Sequence, residues 1–180
     1  MSILKVARMG HPVLRAKARS LEPAEITRPA VQKLIDDMFE TMLEYQGIGL
    51  AAPQVHEGLR LFVAGLDDPD AELPLIALIN PEVTPMGSAV EENWEGCLSV
   101  PDIRGRVPRA VEVGVRALDR RGRRVEMTLR GFPARVVQHE TDHLDGILFL
   151  DRMTSFETLT FLEEFGRYWR RPGANGDEED

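Results

Sequence analysis

Two histidines separated by three residues are the feature of this sequence most able to do chemistry. They stand in the segment QHETDH, residues 138–143. On a helix, positions i and i+4 lie on one face, one turn apart, so His139 and His143 could bind one cation together. Glu140, beside the first histidine, is expected at the edge of such a site, within reach of water. The alternative is a pair of hydrogen-bonded surface histidines without chemistry.

A tetrahedral catalytic metal site usually has three protein ligands, so a third must be found. One source is a downstream glutamate, as in zincin-type metallopeptidases. No histidine follows His143, but glutamates do, among them Glu157, Glu163 and Glu164.

The other source is Cys97, the sole cysteine of the chain, in the segment EGCLSVP (95–101). Gly96 lets the backbone bend and Pro101 cannot continue a central strand, which predicts a bulge or bend at the thiol. A lone cysteine is more often a small buried apolar residue than a ligand. The histidine pair is what makes Cys97 a candidate.

A third segment, GIGLAAPQ (47–54), is rich in small residues. It does not match a phosphate-binding loop, because the third glycine is missing and the segment follows a predicted helix. Helix termination and a tight turn would explain Gly47. The functional interpretation is that small residues let an extended ligand approach the backbone, while Gln54 offers an amide donor.

Composition narrows the class of protein. With 180 residues, 43% of them hydrophobic, the chain can bury one core. No apolar run approaches the roughly 20 residues of a membrane-spanning helix, and Lys5 and Arg8 interrupt the N-terminal apolar stretch, so we expect a cytoplasmic protein without a membrane segment. The net charge of -8 argues against direct nucleic-acid recognition. Ten arginines fall between residues 103 and 135, most simply as a solvated strand face.

Hydrophobic periodicity predicts a first helix between Pro29 and Gly47. Four β-rich segments with short connections predict antiparallel strands: Leu59–Leu66, Leu75–Ile79, Val111–Leu118 and Arg124–Arg130. A second helix is predicted from about Pro133 to Gly146 and carries both histidines. A third is predicted to begin at Thr154 and to run through Trp169.

These elements predict an α+β fold. Antiparallel β-sheets pack around a central helix that bears the HExxH motif, with one helix in the N-terminal half and another at the C-terminus. Residues 1–171 are expected to form a single metallohydrolase domain. The acidic, Pro- and Gly-containing segment 172–180 is expected to be a disordered tail.

The order and spacing of GIGLAAPQ, EGCLSVP and QHETDHLDG resemble the three signature motifs of the peptide deformylase family. The resemblance covers most of the chain, from Ile3–Arg15 through the segment NPE (80–82) to about Met153.

The resemblance implies roles for individual residues. Metal ligands would be Cys97, His139 and His143, and Glu140 would be the general acid and base. The oxyanion of the reaction would be bound by the Gln54 side-chain amide and the Leu98 backbone N–H. Substrate residues would be Gly47, Ile48 and Gly49, with Glu95 and Arg104 near the groove.

Helical spacing adds two residues to this set. Phe132 and Val136 fall seven and three positions before His139, on the same side of the helix. Together with Ile48 they could form an apolar pocket for an unbranched methionine side chain.

The implied activity is metal-dependent hydrolysis of the N-formyl group from the formyl-methionine that begins nascent polypeptides. Ferrous iron is the first expectation for the metal, with zinc, nickel or cobalt as alternatives. We expect a monomer with transient ribosome contact. Some bacterial relatives reach the ribosome through a basic C-terminal helix, but Thr154–Tyr168 is acidic, so the 103–135 arginines are the substitute candidate.

Two rival functions are distinguished by single residues. A zincin-like metallopeptidase would keep its metal and activity after Cys97→Ala, whereas a deformylase would lose both. A non-catalytic metal-binding domain would have no use for a carboxylate at Glu140.

Overall fold

A computed structural model describes residues 2–68 and 71–169 of the chain. Its α-helices, in chain order, are α1 (Pro23–Ile26), α2 (Pro29–Glu44), α3 (Gly131–Leu144), α4 (Phe149–Arg152) and α5 (Leu162–Tyr168). Short 3-10 helices cover Pro12–Arg15, Ala52–Val55 and Phe156–Thr158. None of the helices formed by the described residues has both the length and the apolar character needed to cross a membrane.

Within these described ranges the strands form two antiparallel sheets. The first has the order β1-β2-β3-β6-β7, with strands Gly49–Ala51, Leu61–Ala64, Ile76–Pro85, Glu112–Leu118 and Arg124–Arg130. The second has the order β4-β5-β8, with strands Val90–Cys97, Val100–Ala110 and Thr160–Phe161. A register shift between Glu95 and Cys97 interrupts the β4–β5 ladder, which confirms the predicted irregularity at the thiol.

Strand β2 lies at the centre of the apolar core because both of its faces are buried. Leu61 and Val63 pack with the α2 stripe that includes Met38 and Met42. The alternate residues of β2 belong to a second cluster, together with Val137 of α3. Alternation along one strand therefore joins two helices to opposite faces of the five-stranded sheet.

Helix α3 lies between the two sheets. Its apolar residues join the cluster of the five-stranded sheet, while Arg135 donates to the Val107 carbonyl of β5 on the other side. The mixed α/β architecture with antiparallel sheets is as predicted. Gly131, with a φ of 58°, starts the helix two residues before Pro133. Gly146, with a φ of 74°, follows its end in the predicted left-handed conformation.

Some of the predicted helices and strands are confirmed by the structure, and others are not. Helix α2 and strand β7 have the predicted positions, and the predicted segments at 59–66 and 111–118 each contain a strand. The segment predicted at 75–79 covers only the start of β3, which continues to Pro85. Strands β4 and β5 were not predicted. The C-terminal prediction was wrong at its start: the helix begins only at Leu162, because Thr160 and Phe161 pair with β5. The single domain over 1–171 stays a prediction, and the tail at 172–180 lies outside the described residues.

Candidate metal centre

The three segments identified in the sequence surround one cavity of about 800 Å³. The predicted residues that line it are Gly47, Ile48, Gly49, Gln54, Glu95, Cys97, Leu98, Arg104, Phe132, Val136, His139 and Glu140. His143 lies behind this surface and is 1% exposed. Every residue predicted for the site is therefore at the cavity or directly behind it.

One thiol and two imidazoles converge at the base of the cavity. One potential ligand atom from each of Cys97, His139 and His143 lies within 4.8 Å of the others. The Cys97 sulfur is 3.2 Å from His143 Nε2. In a tetrahedral zinc site, metal–sulfur and metal–nitrogen bonds of about 2.3 and 2.0–2.1 Å separate the two donor atoms by about 3.6 Å. The donor set and its spacing fit one divalent cation.

No comparable group includes a downstream glutamate in the part of the chain that the structure describes. Glu157 is exposed within the 3-10 helix Phe156–Thr158. Glu163 and Glu164 pair with Arg167 on α5. The ligand set of a zincin-type metallopeptidase is thus not favoured.

The position of His139 is determined by a buried carboxylate. His139 Nδ1 donates a hydrogen bond to Glu95 Oε2 over 2.9 Å, which leaves Nε2 free for a metal. Glu95 also accepts two bonds from Arg109, at 2.9 and 3.0 Å, and one from Arg135 at 2.8 Å. Although burial raises the pKa of Glu95, the His139 and Arg109 contacts outweigh it and lower that pKa to about 2. Glu95 is therefore an ionised acceptor.

The network continues to the next turn of α3. Arg109 also pairs with Asp142, and Arg152 of α4 donates to the same carboxylate, with its Nη2 2.6 Å from Asp142 Oδ1. Arg109, Glu95, Arg135 and Asp142 are all buried. The buried guanidinium of Arg109 thus connects β4 to α3 behind the ligands.

Gln54 has an amide whose orientation is determined locally. Its Oε1 accepts from the Ala51 backbone N–H over 2.8 Å, at the first turn of the 3-10 helix Ala52–Val55. Its Nε2 therefore faces the site and donates to Ser99 Oγ at 3.2 Å, with Cys97 Sγ 3.5 Å away. If the backbone partner were a carbonyl acceptor in place of the Ala51 N–H, it would bind the Gln54 nitrogen, and the oxygen would face the site instead.

Ser99 was not identified from the sequence. It is fully buried, its hydroxyl accepts from Gln54, and its backbone N–H donates to Cys97 Sγ at 3.4 Å. Arg109 and Asp142 were missed as well. The available signals were position alone: Ser99 is two residues from the thiol, and Asp142 lies between the two histidines.

Glu140 occupies space that only a glycine at position 49 leaves open. A Cβ atom at Gly49 would lie 2.2 Å from Glu140 Oε1. Burial raises the pKa of Glu140 to about 7, although His139 and His143 act in the opposite direction. Glu140 Oε2 is buried and has no hydrogen-bond partner among the residues described. A carboxyl oxygen is thus available beside the ligand group.

The ionisation of the ligand residues also suits a cation. Burial alone raises the pKa of the Cys97 thiol, but His143 and His139 outweigh it and place that pKa well below its usual range. For His139, burial lowers the pKa, while Cys97 and Glu95 together raise it well above its ordinary value. A thiolate beside imidazoles is the form that binds a metal, whose charge replaces that of the proton.

The other cavity residues form its walls. Ile48, Phe132 and Val136 lie on the cavity surface, as does Leu98. Arg104 packs directly over Gly96, where a Cβ atom would lie 1.9 Å from its Nη1. Its guanidinium donates to the neighbouring Ile103 carbonyl at 3.1 Å. The cavity thus combines apolar surface with cationic side chains, of which Arg104 is one.

Comparisons with known proteins agree with this geometry. The model of the polypeptide deformylase family matches residues 3–158. Peptide deformylase 1 of Prochlorococcus marinus is 43% identical over 170 residues, which covers 91% of this chain and 88% of that protein. Peptide deformylase 2 of Nostoc sp. is 44% identical over 168 residues, with 91% and 93% covered.

Solved structures show the same likeness in three dimensions. A ligand-bound class I type b peptide deformylase from Acinetobacter baumannii has a TM-score of 0.80 at 42% identity, covering 85% of this chain and all of that one. Peptide deformylase from Thermotoga maritima has a TM-score of 0.79 at 37% identity, covering 86% and 100%. Another Acinetobacter baumannii structure is bound to Met-Ala-Ser. The chain belongs to the peptide deformylase family of metal-dependent hydrolases, which act on N-formyl-methionine peptides.

Proposed function

We propose that this chain removes the N-formyl group from the formyl-methionine of nascent polypeptides, with one divalent cation held by Cys97, His139 and His143. The observation that carries the proposal is the convergence of one thiol and two imidazoles beside a buried, unpartnered carboxyl oxygen. A bound cation supplies a Lewis acid for the formyl group and makes water more acidic, toward a pKa of about 7.

Glu140 is the residue proposed to move protons. Its side chain lies against Gly49 at the cavity wall, next to the ligand group. It takes a proton from the attacking water and delivers a proton to the amine that departs. With formate and a free amino terminus as products, atoms and protons balance.

Gln54 and Leu98 are proposed to stabilise the negative charge that forms on the formyl oxygen. Because Gln54 Oε1 is bound to Ala51 N–H, its nitrogen is the end that can donate into the cavity. The Leu98 backbone N–H, one residue after the thiol, is the second donor. Loss of one such donor typically raises the barrier by about 2.7–4 kcal/mol.

The edge of β1 is proposed to bind the peptide backbone. In the sheet of described residues β1 is a terminal strand, paired with β2 on one side only. An extended peptide can add to such an edge by main-chain hydrogen bonds, and Gly49, like Gly47 just before the strand, has no side chain to block it. Glu95, whose oxygens are engaged by His139 and arginines, acts as a positioning residue.

The methionine side chain is proposed to enter the apolar part of the cavity at Ile48, Phe132 and Val136. An unbranched thioether adapts to such a surface. Phe132→Ala should therefore raise KM for formyl-methionine peptides with little change in kcat. Unchanged kinetics would reject this pocket.

Ferrous iron is the metal we propose first, on the family resemblance. A thiolate with two imidazoles also accepts zinc, nickel or cobalt. Iron predicts that activity decays in air and returns after anaerobic loading with Fe(II). Equal air stability of all metal forms would contradict it.

A cytoplasmic monomer that contacts the ribosome transiently is the corresponding cellular proposal. Of the arginines between 103 and 135, Arg109 and Arg135 are buried in the network. Arg116 and Arg130 are exposed but paired with glutamates. Retention of the protein on salt-washed ribosomes tests the contact. Absence of retention would contradict the proposed ribosome contact.

Formate release from formyl-Met-Ala by anaerobically purified protein tests the function. Cys97→Ala should lose both metal and activity, and Glu140→Gln should keep the metal while losing most turnover. Glu57→Gln, at an exposed glutamate away from the cavity, is the matched control. A Cys97→Ala protein that keeps metal and activity would favour a zincin-like peptidase.

A further inference from the structure

Two histidines outside the metal centre meet on the surface of the protein. His11 precedes the 3-10 helix Pro12–Arg15, and His56 follows the 3-10 helix Ala52–Val55. Both residues are exposed, and neither lines the cavity formed by the described residues. Together with the two histidines of the metal centre they are all four histidines of the chain. Every imidazole of this protein therefore has a second imidazole beside it.

The two histidine pairs have similar geometry. The ring centroids of His11 and His56 are 4.7 Å apart, and the ring planes meet at 81°. For His139 and His143 the corresponding values are 5.0 Å and 76°. With metal–nitrogen bonds of about 2.0–2.1 Å and an angle of about 90–110° at the cation, two imidazoles that share it have centroids about 4.5–5.3 Å apart. The surface rings thus have the separation that one shared cation requires.

The lone pairs of the two rings can be made available to a cation. His11 Nδ1 accepts a hydrogen bond from the Val13 backbone N–H at 3.2 Å, so this nitrogen has the lone pair of a neutral ring. A cation on His11 replaces that bond, and because the bond is exposed, water can accept from the released N–H. His56 is also exposed, and exposed side chains change rotamer rapidly, so its ring can turn a nitrogen toward the same ion.

The backbone next to both histidines is held by hydrogen bonds. Ala7 N–H donates to the Gln54 carbonyl over 2.7 Å, which attaches the N-terminal segment to the 3-10 helix before His56. His56 N–H donates to the Pro53 carbonyl over 3.2 Å. The two imidazoles are therefore presented by a preorganised backbone, which reduces the entropy lost when they bind one ion.

The pair offers fewer ligands than the metal centre. Within the described ranges, no third His, Cys, Asp or Glu side chain forms a metal-binding group with these two. Water can supply the other ligands at an exposed site. A centroid distance of 4.7 Å corresponds to an angle of about 95° at the cation. This angle is closer to the tetragonal geometry of nickel(II) or copper(II) than to that of tetrahedral zinc.

We infer that His11 and His56 form a second metal site, which binds one divalent nickel or copper ion with water as the remaining ligands. The inference is independent of the proposed deformylase function. The bound ion connects the N-terminal segment to the 3-10 helix that carries Gln54, and it does so outside the cavity.

The test counts the nickel ions that the holoenzyme binds. Protein whose catalytic centre is already saturated with nickel is titrated with further Ni(II) in a calorimeter, and the wild type should bind one more ion. His11→Ser and His56→Asn should each weaken this second binding at least about tenfold, because two imidazoles held together bind one ion more tightly than either alone. Absence of a second ion in the wild type, or equal binding in both variants, would overturn the inference.

Both substitutions remove an imidazole and keep the local backbone. Serine is a favourable N-cap residue and can accept from the Val13 N–H as His11 does. Asparagine tolerates the left-handed conformation that His56 adopts, with a φ of 68°. Each variant should therefore keep the first nickel ion and the wild-type circular dichroism spectrum. Glu126→Gln, at an exposed carboxylate on β7, is the control and should bind the second ion like the wild type. An equal loss in this control would contradict the histidine site.

Nuclear magnetic resonance locates the second ion directly. Paramagnetic nickel should broaden the ring-proton signals of His11 and His56 together as the second equivalent is added. Broadening of one ring alone would show that a single imidazole binds the ion, which would overturn the shared site.

Discussion

The two sides of α3 are both buried, but different forces act on them. Toward the five-stranded sheet, Val137 and Leu144 make apolar contacts. Toward the three-stranded sheet, Arg135, His139 and Asp142 make ion pairs and hydrogen bonds. Hydrophobic burial is non-directional, whereas charge-assisted hydrogen bonds determine distance and direction. The apolar side should therefore govern stability, and the polar side should govern both stability and alignment of the ligands.

Among the substitutions that test this difference, Arg109→Ala is expected to change the free energy of unfolding most. It leaves Glu95 and Asp142 buried without their shared cation, which should lower the free energy of unfolding by about 3–5 kcal/mol. Urea denaturation of the metal-loaded protein measures the loss. Arg109→Lys, which keeps the charge but not the paired geometry, should lose less. A cost below about 1 kcal/mol for Arg109→Ala would show that the polar side is not structurally critical.

Glu95→Gln tests alignment more specifically. The amide has a similar size but replaces one carboxylate oxygen and removes the charge that pairs with His139. Partners of this kind typically change metal affinity by 10- to 100-fold, about 1.4–2.7 kcal/mol. Competition with a chelator measures the change, and Glu91→Gln, exposed on the same strand, is the control. Equal metal affinity in both variants would show that the hydrogen bonds of Glu95 do not affect how the ligands bind the metal.

Val137→Ala examines the apolar side alone. Removal of two methyl groups from a fully buried position should lower the free energy of unfolding by about 1.6 kcal/mol. Metal affinity should change by less than about twofold, because the polar contacts of α3 remain. Denaturation and chelator competition on one preparation measure both quantities. A large fall in affinity would mean that the two sides are not independent.

The smallest effect is expected at an arginine of the surface. Arg116 pairs with Glu82 at 3.1 Å, with both side chains about two-thirds exposed. Arg116→Ala should change the free energy of unfolding by less than about 0.5 kcal/mol, since water and salt screen such pairs. This variant is the exposed counterpart of Arg109→Ala. A similar loss of unfolding free energy in Arg116→Ala and Arg109→Ala would show that buried and exposed ion pairs do not differ in this molecule.

Features with a local cause could be predicted from the sequence. Helix α2 follows from its apolar repeat, and strand β7 has the predicted bounds, Arg124–Arg130. His139 and His143 follow from helical spacing, and Cys97 follows from the family motif. Each needs only neighbouring residues to be recognised.

Features that depend on distant partners could not be predicted. The first half of β4 is exposed and includes Glu91 and Glu92, so the pairing of this strand with β5 left no hydrophobic pattern in the sequence. Arg109 resembled nine other arginines of its region until the fold placed Glu95 and Asp142 around it. Near the C-terminus, a cap does form at Ser155, but strand pairing with β5 prevents the helix that local spacing favoured.

The bond between Ala51 N–H and Gln54 Oε1 gives the side chain at position 54 a fixed polarity. A glutamate there would have the same length and could keep that bond, yet its other end would be a second acceptor. It would then point an anionic oxygen at the Cys97 sulfur, and the Ser99 hydroxyl would have to donate to the side chain from which it now accepts. A main-chain amide three residues earlier thereby makes glutamine and glutamate inequivalent at this position.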